Sequence, residues 1–359
     1  MAQALKDAYN HQYIEGLAQA CEQASHDFSA KAFVASVFDD DWDARELKAR
    51  SQHIRHCLHI ALNKPFPEAV AVLKEIAPGF TGYEALFFPD YVEAYGQDDW
   101  ECSMDAMEWL TRFSSAEFAV RPFILSDPEK MMAQMRRWSL HDNEHVRRLA
   151  SEGCRPRLPW GQALKPFKRD PALIMPILDQ LREDESDYVR RSVANNLNDI
   201  AKDNPQITLE WAKQYKGQHS HTDWIIKHGC RTLLKQAQPD AMALFNYHPA
   251  DDVMVTDFQL DRAAIKIGEK LEFRFQLQVN EGMLGRLRIE YAVDYIKANG
   301  QSRRKVFKLS EGEFEQPEKS FRRTQSFHQM TTRVHYPGTH RIAVLVNGVE
   351  KACLSFELD

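Results

Sequence analysis

The sequence predicts a mainly α-helical chain that ends in a smaller β-domain. Two observations lead to this prediction. Arginine-containing helices recur every 35 to 45 residues or so in the middle of the chain, and apolar residues occupy every second position in its last part. We expect a HEAT-like or armadillo-like α-solenoid over residues 1–250, followed by an immunoglobulin-like β-sandwich over residues 251–359.

The first hundred or so residues have the composition of helices packed on helices. Ala, Leu, Glu and Lys dominate, and the segment Trp42–Leu62 places its aliphatic residues on one face, as an amphipathic helix does. His53, His56 and His59 lie in this segment, but no further carboxylate completes a tetrahedral ligand set with them. We therefore expect no metal site here.

A short arginine-containing pattern recurs further along the chain. Val146–Ala150 (VRRLA) returns at Val189–Val193 (VRRSV), with a weaker copy at Ile225–Gly229 (IIKHG) and an earlier one at Ala119–Phe123 (AVRPF). Partner helices are expected before the later three copies, at Pro128–Leu140, Pro171–Glu183 and Pro205–Lys216. Such paired helices are typical of HEAT-like and armadillo-like solenoids. The second helix of each pair lines the concave face, so the Arg-Arg pairs are expected on one inner surface; alternatively, they are ordinary exposed arginines.

Near residue 250 the pattern changes to strands. Apolar residues alternate through the segments 271–279 and 287–295, which is typical of half-buried strands. Turn signals separate the expected strands at Glu281-Gly282, Asn299-Gly300, Pro337-Gly338 and Asn347-Gly348. About seven strands over this length favour an immunoglobulin-like sandwich. The six cysteines are scattered, which argues against a disulfide framework and against a zinc site.

The distribution of charge allows a polyanionic partner although the net charge is −6. The segment 136–169 contains nine basic and three acidic residues, and a local basic face attracts phosphate whatever the sign of the whole. The sequence has no span long and apolar enough for a membrane and no signal peptide, so we expect a cytoplasmic protein. It also has no Gly-rich phosphate loop and no nucleophile elbow, so no cofactor and no metal are expected.

Three residues are candidates for chemistry. Glu117 either serves a reaction or caps a short helix with Ser114. Glu152 either serves a reaction or pairs with a neighbouring arginine on its helix. Both are expected on second helices of adjacent repeats, and therefore on one inner face. Trp160, between a proline and a glycine, either stacks on a base or sugar or fills the gap between repeats.

The ordered run Ala116–Phe123, followed by Val146–Gly153 and Arg155–Trp160, resembles the AlkC-type DNA alkylation-repair glycosylases. These belong to the HEAT-like-repeat superfamily that includes the AlkD type. The C-terminal part resembles the immunoglobulin-like domain of one AlkC subgroup, so the resemblance extends over the whole chain. The residues of the AlkD type, which has a catalytic aspartate four residues after a tryptophan, are not carried over to this sequence.

The resemblance implies hydrolytic excision of cationic N3-alkylated bases from duplex DNA, chiefly 3-methyladenine with 3-methylcytosine as a second substrate, without base flipping. It implies that Glu117 and Glu152 stabilise an oxocarbenium-like sugar and position water, and that Trp160 contacts the lesion. It also implies a set of phosphate-binding residues in the solenoid, namely Arg148, Arg155, Arg157 and Arg191. In the sandwich, Arg303 and Arg304 either reach DNA or are ordinary surface charge. We expect a monomer.

Two other functions remain open at this point. The solenoid could be a non-catalytic module that binds damaged or branched DNA while the sandwich recruits a partner. It could also be a scaffold that binds proteins, in which case its arginines are solvent-exposed surface. Free base released from methylated DNA distinguishes an enzyme from both.

Overall fold

A computed structural model of the chain describes residues 4–329 and 334–359. The chain divides into two compact units, residues 1–229 and residues 230–359. The first strand begins at Met254. A boundary between the two folds near residue 250 remains our proposal.

The described part of the first unit consists of helices joined by short turns. Their bounds are α1 His11–Ala24, α2 Ala30–Val37, α3 Leu47–Leu62, α4 Phe66–Ile76, α5 Phe87–Tyr95, α6 Trp100–Leu110, α7 Val120–Ser126, α8 Pro128–Trp138, α9 Glu144–Glu152, α10 Lys165–Arg169, α11 Met175–Leu181, α12 Asp187–Ala201, α13 Pro205–Tyr215 and α14 Ser220–Gly229. Short 3₁₀ turns lie at Leu5–Ala8, Trp42–Ala44, Ala77–Gly79 and Tyr83–Ala85.

Helix starts follow local capping chemistry. Asn143 caps α9, its side chain accepting from the backbone N–H of His145 at 2.9 Å. Asp127 caps α8, and Pro128 takes the first helical position, where no N–H is needed. Two predicted starts are corrected. The helix predicted from Trp42 begins at Leu47, and the one predicted from Pro171 begins only at α11, after an intervening turn.

The predicted helix pairs are confirmed as α8 with α9, α11 with α12, and α13 with α14. Helix α12 packs against both α9 and α14, so the second helices of the pairs stack side by side. Val146, Val189 and Ile225 stand at equivalent positions on these helices, and each is fully buried. The repeated aliphatic residue therefore supplies the core of the stack.

The two arginines of each repeated pair have different roles. Arg147 donates to two carbonyl oxygens in the turn before α9, at 2.7 and 2.9 Å. Arg190 does the same in the turn before α12, at 2.8 Å to each of two carbonyls. The expectation that both arginines of a pair line the inner surface is therefore corrected. The first arginine secures the turn, and only the second one, Arg148 or Arg191, remains for the inner surface.

The second unit contains two short helices and a β-sandwich. Its elements are α15 Arg231–Lys235, α16 Pro239–Leu244, β1 Met254–Leu260, β2 Ala264–Ile265, β3 Lys270–Gln278, β4 Gly285–Ile296, β5 Ser302–Phe314, β6 Glu318–Ser326, β7 Gly338–Val346 and β8 Val349–Leu358. One sheet has the order β1-β3-β6 and the other β2-β8-β7-β4-β5. The predicted sandwich is confirmed. The described residues form eight strands instead of seven because the two-residue strand β2 adds to β8 in parallel.

Register in the sandwich follows from alternation and from one tight turn. In β3, Leu271, Phe273 and Phe275 point into the core and are at most 2% exposed. Asn347 and Gly348 both have positive φ, at 47° and 81°, as a two-residue hairpin between β7 and β8 requires. The Asn-Gly dipeptide therefore fixes the pairing of these two strands.

Helix stacking predicts opposite effects for two glycine substitutions. A Cβ on Gly229 would lie 2.7 Å from the buried Leu197, whereas one on Gly16 meets nothing within 4 Å. Gly229→Ala should therefore lower the free energy of unfolding by about 1–3 kcal/mol, through overpacking between α14 and α12. Gly16→Ala, on the exposed face of α1, should raise it by about 0.5–1 kcal/mol. Urea unfolding of the two variants checks both signs, and equal effects would contradict the packing described here.

Candidate active site

The three candidate residues for chemistry line one open cleft of about 650 Å³ in the first unit. Glu117 lies in the turn before α7, Glu152 ends α9, and Trp160 follows in the loop after α9. The structure thus brings these residues together although 43 positions separate Glu117 from Trp160 in the sequence. The cleft also includes Arg148 and Tyr188.

Arg148 connects the two carboxylates. One guanidinium nitrogen donates to Glu117 Oε2, and the other lies 3.4 Å from Glu152 Oε1. The nitrogen that reaches Glu117 also contacts Ser115 Oγ at 2.7 Å, and that hydroxyl donates to Glu117 Oε2 at 2.8 Å. The ring of Tyr188 lies 4.9 Å from the Arg148 guanidinium carbon, a cation–π distance. Arg148 is therefore held on several sides and fixes the separation of the two acids.

Both carboxylate oxygens of Glu152 are occupied. Oε1 accepts from Arg155 at 2.6 Å, and Oε2 accepts from the Ser192 hydroxyl at 2.6 Å. Its side chain is only 6% exposed. A carboxylate with its lone pairs taken up by two arginines and a hydroxyl is held rigidly.

Charges of alternating sign continue behind Glu152. Arg155 Nε donates to Asp199 Oδ2 at 2.9 Å, and Asp199 Oδ1 accepts from Lys202 at 2.9 Å. Arg155 and Asp199 are both buried. Removing one member of such a buried chain leaves an uncompensated charge, which typically costs about 3–5 kcal/mol. We call this series the charge chain; it runs Lys202, Asp199, Arg155, Glu152, Arg148, Glu117.

The acids keep the buried arginines of the chain protonated. Burial alone would lower the pKa of Arg148, but the charges of Glu152 and Glu117 outweigh burial and hold its pKa above the usual value. For Arg155, burial is likewise outweighed by Glu152 and Asp199, and the pKa is again raised. Arg148 and Arg155 therefore stay charged throughout the physiological range.

Glu117 differs from Glu152 in having one oxygen available. Its hydrogen bonds all go to Oε2, and Oε1 accepts none from the described residues. Its side chain is 14% exposed. The expected capping pair with Ser114 is corrected, because the Ser114 hydroxyl donates to the Gly82 carbonyl instead. Glu117 also precedes the second helix of its pair instead of lying on it. The turn directs its carboxylate to Arg148.

Trp160 has an unusual backbone and an exposed side chain. Its φ is 63°, the left-handed region that a non-glycine residue rarely adopts, and 68% of the side chain is exposed. Its carbonyl oxygen accepts from Lys48 Nζ, and the same ammonium lies 5.0 Å from the Phe118 ring centroid. Strain of this kind persists only where the surroundings determine the conformation.

Arg121 holds the loop that carries Trp160. Its guanidinium donates to the carbonyl oxygens of Gln162, Gly153 and Arg155, at 2.6, 2.9 and 3.0 Å. Arg121 is only 1% exposed, and burial lowers its pKa to about 10, so it is still charged at neutral pH. The three bonds close the loop at both ends and place Trp160 at the edge of the cleft.

The arginines predicted to bind phosphate divide into two groups in the solenoid. Arg148 and Arg155 belong to the charge chain and are largely buried, so the geometry favours a positioning role over phosphate contact for both. Arg191 has a side chain that is 68% exposed and pairs with Asp187, one turn earlier on α12. Arg157 is 37% exposed and forms two hydrogen bonds with Asp203.

The predicted arginines of the sandwich lie in β5. Arg303 is exposed. Arg304 donates to Asp294 and to Glu350, and these hydrogen bonds raise its pKa. Arg304 is engaged in ion pairs on the surface of the sandwich. Of the two arginines, Arg303 is therefore the one that is available to an anion.

Sequence reasoning missed most of the residues that support the site. Ser192 could have been found, because it lies within the second copy of the arginine pattern and faces the helix of the first copy. Asp199 and Lys48 carry no such signal, since Asp199 lies about two turns beyond Ser192 on α12 and Lys48 is 112 residues from Trp160. Arg121 was part of the repeated pattern, but its three carbonyl partners depend on the loop conformation.

A second, smaller cavity of about 230 Å³ lies against Phe118 and Trp160. It contains two carboxyl groups from α5, Asp90 and Glu93. Burial raises the pKa of Asp90, and burial together with Asp90 raises the pKa of Glu93 to about 7. These two carboxyls line a different cavity from Glu117 and Glu152.

Two features are absent from the described residues. No group of three or more His, Cys, Asp or Glu residues there could hold a metal ion. No described helix is long and apolar enough to cross a membrane.

The fold and the cleft define a helical-repeat protein with an acidic site on its inner face and an immunoglobulin-like domain in the same chain. A family model described as "DNA alkylation repair enzyme" matches residues 101–233. Another, described as "Uncharacterised protein YhaZ, C-terminal Ig-like domain", matches residues 254–359. The chain belongs to the DNA alkylation repair enzyme family, and the predicted resemblance is confirmed.

Two relatives match over nearly the whole chain. The uncharacterized protein YhaZ of Bacillus subtilis (strain 168) is 47% identical over 355 residues, which cover 99% of each chain. A solved structure of the alkylpurine DNA glycosylase AlkC of Pseudomonas fluorescens, bound to DNA containing an abasic site analog, is 38% identical. It superimposes with a TM-score of 0.95 and covers 99% of this chain and 100% of that one.

The bonds of Arg121 predict its contribution to stability. Arg121→Met would leave two buried carbonyl groups and one partly exposed carbonyl without their donor, and should lower the free energy of unfolding by about 3 kcal/mol or more. Arg157→Met, in the same loop but with a partly exposed ion pair, should change it by less than about 1 kcal/mol. Urea unfolding measures both. Similar values for the two variants would show that the loop does not depend on Arg121.

The raised pKa of Glu93 predicts a pH-dependent stability. The folded state holds the Glu93 proton more tightly than the unfolded chain, so the Glu93 contribution falls as pH rises from about 4.5 to about 7. Glu93→Gln should therefore stabilise the protein at about pH 8 and leave it little changed at about pH 4.5. Unfolding at the two pH values decides the matter. A stabilisation that is equal at both values would contradict the raised pKa.

Proposed function

We propose that this protein is a DNA glycosylase that hydrolyses the N-glycosidic bond of cationic N3-alkylated bases in duplex DNA. The observation that carries the proposal is the free Oε1 of Glu117, in an open cleft, on a carboxylate fixed by Arg148 and the charge chain. The 38% identity to a DNA-bound alkylpurine DNA glycosylase, over 99% of the chain, supports it. The proposed substrates are 3-methyladenine and, second, 3-methylcytosine.

The chemistry of such a lesion suits a site made of fixed anions. An N3-alkylated adenine already carries a positive charge, so it leaves without a general acid. The difficulty lies in the sugar, which becomes cationic as the bond breaks, and in delivering a water molecule to it. Preorganised negative charge stabilises that transition state without any reorganisation, and a carboxylate can also orient water, as in glycoside hydrolysis.

The geometry suggests different roles for the two acids. Glu117 has a free oxygen at the cleft, so we assign it to the direct contact with the sugar or with the attacking water. Glu152 has both oxygens taken, so we assign it to holding Arg148 and to supplying a fixed negative charge behind the reacting centre. Glu117 would then be the catalytic residue, and Glu152 chiefly a positioning residue.

Trp160 is well placed to meet the lesion. Its indole is 68% exposed at the edge of the cleft and its backbone is held by Lys48. An aromatic face attracts a cationic base or the cationic sugar of the transition state. The open cleft leaves the sugar accessible from outside the duplex, so we propose that excision occurs without base flipping.

The proposal extends to the remaining contacts. Arg191 and Arg157 in the solenoid, with Arg303 in the sandwich, would contact phosphates and set the register without reading sequence. We propose a monomeric, cytoplasmic enzyme without cofactor. Hydrolysis by water alone would make it monofunctional.

The test is release of free base from methylated duplex DNA, resolved by chromatography under single-turnover conditions. Wild type should release 3-methyladenine. Glu117→Gln should slow release by about a hundredfold or more. Glu152→Gln should also slow it, with a parallel loss of stability, because a charge of the chain is left unpaired. Glu144→Gln, on the exposed start of α9, is the matched control and should release base at the wild-type rate.

The competing function is a non-catalytic module that binds damaged or branched DNA and recruits a partner. That function predicts binding that weakens with salt but no free base at any protein concentration. Wild-type protein that binds methylated DNA and releases nothing would establish the competing function and overturn ours.

A further inference from the structure

A five-residue motif occurs four times along the solenoid. Each copy reads acidic, aromatic, aliphatic, any residue, basic. The copies are Glu117–Arg121 (EFAVR), Glu144–Arg148 (EHVRR), Asp187–Arg191 (DYVRR) and Asp223–Lys227 (DWIIK). The aromatic and basic residues are three positions apart, so on a helix they share one face. The aliphatic residue, at most 1% exposed in every copy, points the other way, into the core.

The aromatic residues form a row on the cleft side of the stack. Phe118, His145 and Tyr188 all line the cleft that contains the candidate site. The rings of His145 and Tyr188 are 5.5 Å apart, edge to face. Because α14 packs on α12, the equivalent residue of the fourth copy, Trp224, continues the row beyond the cleft, and it is 40% exposed. We call these four residues the aromatic row.

The acid of the motif is used differently in the first copy. In the third and fourth copies it bonds within its own helix or to the turn before it, and in the second copy Glu144 accepts from the Ser186 hydroxyl at the start of α12. Asp187 pairs with Arg191 at 2.7 Å, and Asp223 accepts the backbone N–H of Gly217 at 2.7 Å. In the first copy the acid is Glu117, which turns to Arg148 of the next copy instead. The candidate site therefore lies at one end of the row, and the row extends from it in one direction only.

The outer surface of a DNA strand alternates in the same way as the motif. In a duplex the bases are stacked inside, so each nucleotide presents an apolar deoxyribose face and an anionic phosphate. An aromatic side chain fits the first and a basic one fits the second. Arg191 retains N–H donors beyond its one ion pair with Asp187, because a guanidinium has five. The 38% identical relative is bound to DNA, which favours this occupant over a protein segment.

We propose that the aromatic row, ending at Trp224, binds the sugar–phosphate backbone of one DNA strand on one side of the lesion, and so requires intact duplex on that side. The inference rests on the proposed function and adds an asymmetric substrate requirement to it. Neighbouring helices are about 8–10 Å apart, and a strand advances about 3.4 Å per nucleotide. Each copy therefore corresponds to about three nucleotides. Trp224 should meet the strand about three nucleotides beyond the one at Tyr188.

The experiment measures affinity for duplexes that carry a central abasic-site analogue and are shortened from one end or from the other. Wild type should lose about tenfold in affinity when one end, and not the other, is cut to within about six nucleotides of the lesion. Trp224→Ala should lose about the same factor on the full duplex and nothing further on the shortened one. Trp224→Phe should restore the affinity. The matched control is Leu140→Ala, an exposed apolar residue in the turn between α8 and α9.

The outcomes separate the two proposals. Either of two results would overturn the aromatic row. In the first, Trp224→Ala binds the full duplex within twofold of wild type; in the second, its affinity is lower than that of wild type by the same factor on every duplex, whichever end is shortened. Base release by wild type would still support the glycosylase in both cases. Absence of base release by wild type would overturn the glycosylase, whatever the row does. Unfolding of Trp224→Ala in parallel confirms that the variant is folded, so a lost affinity reports on DNA contact.

Discussion

The candidate site depends on one interaction, the bridge that Arg148 makes between Glu117 and Glu152. Glu117 would not hold its position without it, since Glu117 lies in a turn, whereas Glu152 is also held by Arg155 and Ser192. Arg155, Asp199 and Lys202 continue the charge chain beyond Glu152, and the ring of Tyr188 packs against the Arg148 guanidinium. Buried charges are expensive to place in a protein unless each is paired. Here the pairing leaves one carboxylate oxygen of Glu117 available at the surface of the cleft.

The repeat architecture explains how a solenoid can provide such a site. Each second helix offers an acid, an aromatic residue and a base at the same three positions. In most copies these residues serve the start of the helix and the inner surface. In the first copy the acid is directed to the arginine of the next copy, so the reacting centre arises between repeats instead of within one. The loop that carries Trp160 completes the cleft, and Arg121 and Lys48 hold it through carbonyl oxygens alone.

Much of this could be predicted from the sequence, and the limits have physical reasons. Helix pairs and strands follow from periodicity, and Glu117, Glu152 and Trp160 were found together because motif and resemblance coincide on them. Arg148 and Arg155 were predicted to bind phosphate because they are basic. The sequence does not show that they are largely buried, or which acids on neighbouring helices pair with them. The capping role considered for Glu117 was wrong because the Ser114 hydroxyl donates to the Gly82 carbonyl, a partner that the sequence does not indicate. Asp199 and Lys48 could not be found, since their contacts arise only when distant segments of the chain meet.

The most direct test of this account is a double-variant cycle on Arg148 and Glu117, read as the single-turnover rate of 3-methyladenine release at saturating protein. If Arg148 acts by fixing Glu117, then Arg148→Met should slow the reaction about as much as Glu117→Gln, and the double variant should be little slower than either one. If Arg148 instead contacts DNA phosphate, Arg148→Met should weaken binding and reduce its salt dependence but react at the wild-type rate once saturated. That second result would contradict the charge chain as the basis of the site.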